Sequence, residues 1–157
     1  MSNATIQARM ANPAMTTRGA MPALLSLHKS AMRSGLPEST AYLVHLRASQ
    51  INACAVCTEM HAREMKEAGD ADERIWSVAA WREAPYFTDA ERAALALTEA
   101  LTRIADRPEA VSDEIYDEAA EHFDEEQLSA LIIEIASINV WNRLNLATRQ
   151  PAGQSWS

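Results

Sequence analysis

The sequence predicts an all-α, single-domain protein, and three observations carry that prediction. Apolar side chains recur at helical spacing in several windows, and no window sustains the period-two alternation of a half-buried strand. Only 4 Gly and 6 Pro occur in 157 residues, too few for the many tight turns of an all-β fold. A chain of this length that is 48% hydrophobic buries roughly 70% of its unfolded surface, so its core needs no disulfide framework or structural metal.

The elements follow in order. Residues 1–19 are expected as a flexible N-terminal arm, of which Met1 to Ala4 read as a tag remnant. Pro22 to Arg33 carries Leu24, Leu25, Leu27, Ala31 and Met32 at helical spacing, with Pro22 in a first turn and Gly35 as a stop. Ser39 to Ile51 forms a second helix, with Leu43, Leu46 and Gln50 on one face and Tyr42, His45 and Ser49 on an adjoining one. Asn52-Ala53-Cys54 interrupts the pattern, Asn52 being suited to an N-cap, and Ala55 to Ala68 resumes it until Gly69. Asp70 with Glu73, Thr88 with Glu91 and Asp124 with Gln127 have capping-box spacing, each before an amphipathic run. Ser112 to Phe123 is a shorter acidic helix, expected to present a solvated face. The domain thus spans residues 20–150, and residues 151–157 are expected to fray.

A formal net charge of −8 argues against nucleic acid or an anionic membrane as partner, because such surfaces need clustered Lys and Arg. No apolar run approaches the roughly 20 residues of a membrane span, and the N-terminus lacks a signal-peptide pattern, so a cytoplasmic location is expected.

The chemistry concentrates in Cys54-Ala55-Val56-Cys57, which holds both cysteines, with His61 four residues further on. On a helix these three side chains share a stripe, and a helix N-terminus favours thiolate over thiol. The motif is suited to redox chemistry. Two buried hydrophobic cysteines are the plain alternative. Structural zinc would need a fourth ligand from His28, His45, His122 or a carboxylate, since there is no second Cys pair. Covalent haem attachment fails because Thr58, not His, follows the second cysteine, and no strands surround the motif as in a thioredoxin fold. No cofactor and no metal is expected. Glu64 is spaced to orient His61, with a solvated helix face as its plainer reading; Trp76, Trp81 and Trp141 suit the core or a subunit interface, and Arg47 and Arg82 suit a thiolate or a carboxylate.

The run Leu46 to Cys57 with His61 resembles the core of the AhpD-like alkylhydroperoxidases of the carboxymuconolactone decarboxylase superfamily. The resemblance extends to Trp81-Arg82-Glu83-Ala84-Pro85, to Phe87 through Leu95, and to Ile138 through Arg143. It implies an all-helical fold assembled as a homo-oligomer, a trimer or hexamer. It further implies Cys57 as the peroxidatic thiol, Cys54 as the resolving thiol and His61 as the proton-transfer group. A hydroperoxide would be the substrate and a dithiol or lipoyl-type protein the reductant. The family's relay glutamate stands twelve residues before the first cysteine, and here Tyr42 occupies that place. With a reference pKa near 10 it is a poor base at neutral pH, and His45 is the candidate substitute, a partly exposed bystander on an amphipathic helix being its plainer reading. A redox-sensing or stress-response dithiol protein with little peroxidase turnover is the second reading. Lactone decarboxylases, which do not depend on a CxxC pair, and an inert helical scaffold are the remaining ones.

Overall fold

A computed structural model describes residues 6–154. Among the described residues the secondary structure is entirely helical: α1 Pro13–Thr16, α2 Ala20–Met32, α3 Glu38–Ile51, α4 Ala55–Glu67, α5 Asp72–Trp76 with a 3-10 turn at Ser77–Ala80, α6 Asp89–Thr102, α7 Asp113–His122 and α8 Glu125–Thr148. Among the described residues no helix is long and apolar enough to cross a membrane.

Helix α3 is the centre. It packs on α4, α6 and α8, while α2 lies on α8 and α7 on α6. Its Ala41 and Val44 join one core cluster with Leu97, Leu131 and Ile135; its Leu43 and Leu46 join a second with Met65, Val78, Trp81 and Leu95. Flanked on both sides in this way, α3 buries polar Thr40, His45 and Ser49 along with its apolar residues.

Local chemistry sets the ends. Thr88 and Asp124 form complete capping boxes with Glu91 and Gln127, and Ser112 caps α7. The Asp70 box does not form. Ala71 is the N-cap of α5, and Asp70 accepts instead from Arg74 Nε at 2.8 Å, so its carboxylate serves an ion pair. Asn52 is the C-cap of α3 rather than an N-cap. Ala53 follows at φ 55°, with Ala53 N donating to Gln50 O and Cys54 N to Ser49 O. That pair of bonds is a Schellman closure, which ends α3 and hands Cys54 to α4 as its N-cap.

The segment expected as a flexible arm is docked on the end of α8. Arg9 N donates to Thr148 O, and Asn12 is buried with its Oδ1 capping Ala14 N at 2.9 Å. A one-turn helix is too short for periodicity to reveal, although Asn12-Pro13 is an N-cap followed by a first-turn proline. The expected tag remnant, Met1 to Ala4, lies outside the described residues. In the tail expected to fray, Gly153 N donates to Glu59 Oε2 at 2.6 Å, and residues 155–157 lie outside the described residues.

Candidate functional site

Cys54 and Cys57 are joined as a disulfide with Cα atoms 5.3 Å apart, and each residue is 1% exposed. A cavity of about 510 Å³ lies against them between α1, α2, α3, α4 and α8. Cys57 forms part of its wall and Cys54 does not. Met15, Met21, Leu25, Met60, Ile138 and Trp141 make most of that wall apolar. Asn145 Nδ2, from the last turns of α8, donates to Cys57 Sγ at 3.3 Å. The Asn145 amide is itself fixed by Asn12 Nδ2, which donates to its Oδ1 at 2.7 Å.

His61 is buried on the same wall. Glu64 Oε2 lies 2.7 Å from its Nδ1. An ionised carboxylate only accepts, so Nδ1 carries the proton and Nε2 is left as the basic nitrogen. That nitrogen is buried and has no hydrogen-bond partner, and His61 bonds to neither sulfur. Burial works against ionising Glu64, but the hydrogen bond from His61 and the nearby imidazoles hold its carboxyl below the ordinary value of 4.5. Glu64 thus takes the orienting position that its spacing from His61 suggested.

His45 is buried beside His61, with ring centroids 5.0 Å apart. Its Nε2 lies 2.7 Å from Glu134 Oε2, which also lies 2.8 Å from His28 Nδ1. Burial pushes His45 below 6.5 despite that hydrogen bond, and His61 adds to the depression. Burial opposes charge on Glu134 as well, yet the hydrogen bonds from His45 and His28 bring its pKa down. The set is therefore a carboxylate oxygen accepting from two imidazoles, His45 and His28.

Tyr42 does not join the site. Its hydroxyl donates to Glu38 Oε1 at 2.7 Å, one turn back on α3, and its ring packs beside the second core cluster. Donation to a carboxylate, with some burial, pushes its pKa up to about 12. Arg47 and Arg82 steady a carboxylate rather than a thiolate: both bond to Glu99, which also accepts from Trp81 Nε1. Trp81 is core and Trp141 lines the cavity, whereas Trp76 is 73% exposed.

Sequence reasoning missed Glu134, Ser137 and Asn145, and named His28 only as a fourth ligand for zinc on the cysteines. A signal existed for the first: Glu134 stands alone inside Leu131-Ile132-Ile133-Glu134-Ile135, a position that must be buried and so must have partners.

Residues 18–100 match the model of the carboxymuconolactone decarboxylase family. The chain belongs to that family. As a member of it, the chain is 36% identical over 127 residues to the uncharacterised protein YdfG of Bacillus subtilis, covering 81% of this chain and 85% of that protein. A solved structure of a protein of unknown function from Agrobacterium tumefaciens, provisionally named as the antioxidant defence protein AhpD, superposes with a TM-score of 0.86 at 32% identity. It covers 95% of this chain and all of that one. The debrominase Bmp8 shares the fold, with a TM-score of 0.74 at 22% identity over 85% of this chain and 70% of its own. The fold and the CxxC pair make this an AhpD-like family member compatible with a redox role.

Proposed function

We propose that this protein is a dithiol peroxidase that reduces hydroperoxides through Cys54 and Cys57. The observation that carries the reading is the asymmetry of the pair: Cys57 lines the cavity and accepts from Asn145, while Cys54 stands behind it. In the reduced protein, His61 Nε2 takes the Cys57 proton, directly or through water, while Glu64 holds the ring. The Cys57 thiolate attacks the outer peroxide oxygen; the O–O bond breaks, the alkoxide takes a proton and leaves as an alcohol, and Cys57 becomes a sulfenic acid. The Cys54 thiol attacks that sulfur, expelling water and closing the disulfide. Two thiols of an external reductant, of the dithiol or lipoyl type, reopen it by exchange and leave as a disulfide. Tyr42 takes no part, and His45 contributes by packing against His61. Assembly as a trimer or hexamer belongs to the same proposal, and sedimentation showing only monomer at micromolar protein would reject it.

The test is the intact mass and free-thiol count of reduced protein before and after one equivalent of cumene hydroperoxide. Loss of both thiols and two hydrogens is expected, with a trappable sulfenic acid on Cys57 in Cys54→Ser. Full turnover in Cys57→Ser, or thiols that react no faster than those of an unfolded peptide, would reject the reading. The second of those outcomes would shift the weight to a metal site, a different redox partner or a helical scaffold.

A further inference from the structure

The cavity holds a second convergence of ligand-type atoms, none of them a sulfur. His28 of α2, His45 of α3 and Glu134 of α8 bring two imidazole nitrogens and a carboxylate oxygen within 4.8 Å of one another. Glu134 is 0% exposed, and a carboxylate so deeply buried is costly unless its lone pairs are matched. Oε2 is matched twice, by His28 and His45, but Oε1 has no partner. Three residues further along α8, Ser137 Oγ is also buried and without a partner, and both residues line the cavity. Both imidazoles direct an N–H at Oε2, so the protein's hydrogen bonds leave Glu134 Oε1 and Ser137 Oγ unsatisfied.

We propose that His28, His45 and Glu134 form a binding site for a divalent transition-metal ion of the zinc class, open toward the cavity. Two imidazoles and a carboxylate are a borderline nitrogen and oxygen set, which suits zinc and its neighbours; calcium and magnesium call for oxygen throughout. Ligand bonds of about 2.0–2.2 Å put tetrahedral donors roughly 3.3 Å apart. The carboxylate oxygen therefore needs to draw back only slightly from nitrogens now 2.7 and 2.8 Å away, and the two nitrogens lie within 4.8 Å of each other. On binding, each imidazole would present a lone pair at the nitrogen now facing Glu134, its proton moving by way of water to the other ring nitrogen, while the ion draws on the unpartnered Glu134 oxygen and carries a water toward Ser137. Half-exposed His28 gives it a way in. No sulfur belongs to the set, so the ion needs neither thiol to bind.

The test uses the full chain in its disulfide form, with the absence of free thiols verified, titrated with zinc by calorimetry and with cobalt by absorption. One zinc per chain with a Kd of about 1 μM or tighter is expected, together with tetrahedral cobalt bands and no thiolate charge-transfer band. Glu134→Gln and His28→Ala should each weaken zinc at least tenfold, and the doubly substituted Cys54→Ser, Cys57→Ser protein should bind as the parent does. Half-exposed His28 can be truncated without opening the core, so its variant keeps the test valid if Glu134→Gln unfolds. Absence of binding to the parent, affinity untouched by His28→Ala, or loss of binding in the cysteine-free protein would each overturn the site.

Discussion

Asn145 Nδ2 donates to Cys57 Sγ across 3.3 Å, linking the end of α8 to the first turn of α4. A disulfide sulfur is a weak acceptor and a thiolate a strong one, so the contact favours the ionised form of reduced Cys57. Asn145→Ala should raise the Cys57 thiol pKa by about one to two units, the equivalent of about 1.5–3 kcal/mol for a hydrogen bond to a charge. The thiolate absorbance followed against pH in Cys54→Ser reports it, and an unmoved titration would show the contact to be idle.

Asn12 acts one step further out, holding the Asn145 amide through a 2.7 Å bond. Asn12→Ala should shift the same titration in the same direction by less, because the Asn145 amide remains but is free to turn. A shift larger than that of Asn145→Ala would contradict this order.

Glu64 fixes the proton of His61 on Nδ1. Glu64→Gln offers a neutral amide that holds the ring less firmly, and the rate with cumene hydroperoxide should fall by about 10- to 100-fold, a share of general-base catalysis. The melting temperature should barely move, since Glu64 is half-buried at the cavity wall. Stopped-flow kinetics beside a thermal melt separate the two effects.

Ala53 pays the left-handed conformation that closes α3, at φ 55°. Glycine removes a penalty of about 1–2 kcal/mol while giving back part of it as unfolded-state entropy. Ala53→Gly should stabilise the fold by about 0.5–1 kcal/mol, seen as a higher urea midpoint at unchanged slope.

Glu99 is buried yet accepts from Trp81, Arg82 and Arg47; burial resists its ionisation, and these donors outweigh that and hold its carboxyl below 4.5. A carboxyl lowered on folding adds stability that is complete above the unfolded value and is lost as pH falls through the native one. Glu99→Gln should therefore destabilise at neutral pH, by about 1.5–3 kcal/mol, and the gap from the parent should close in acid. Urea unfolding at pH 7 and below pH 4.5 measures both ends, and a gap that widens in acid would refute the assignment.

What the sequence disclosed and what it withheld divide along chain distance. Cys54, Cys57, His61 and Glu64 lie within three turns of one helix, so their spacing alone put them on one side. The capping boxes at Thr88 and Asp124 were legible for the same reason. Glu134 and Asn145 reach the site from far along the chain, through the packing of α8 on α3 and α4, and nothing local in their neighbourhoods names the partner. Tyr42 marks the opposite error: its place relative to the cysteines suggested the relay, but a tyrosine hydroxyl finds a nearer acceptor in Glu38 on its own helix.

Helix α8 is a single rod of 24 residues that carries Glu134, Ser137 and Asn145 to the cavity at three heights. Functional groups more often sit on loops, which absorb changes in length. Here an added or deleted residue between Glu134 and Asn145 would turn everything beyond it by about 100°, swinging Asn145 off Cys57 even if every apolar residue were preserved. This part of the molecule should accept substitutions far more readily than insertions or deletions of a single residue, and a helix that looks like plain core is in effect a ruler whose graduations cannot be moved.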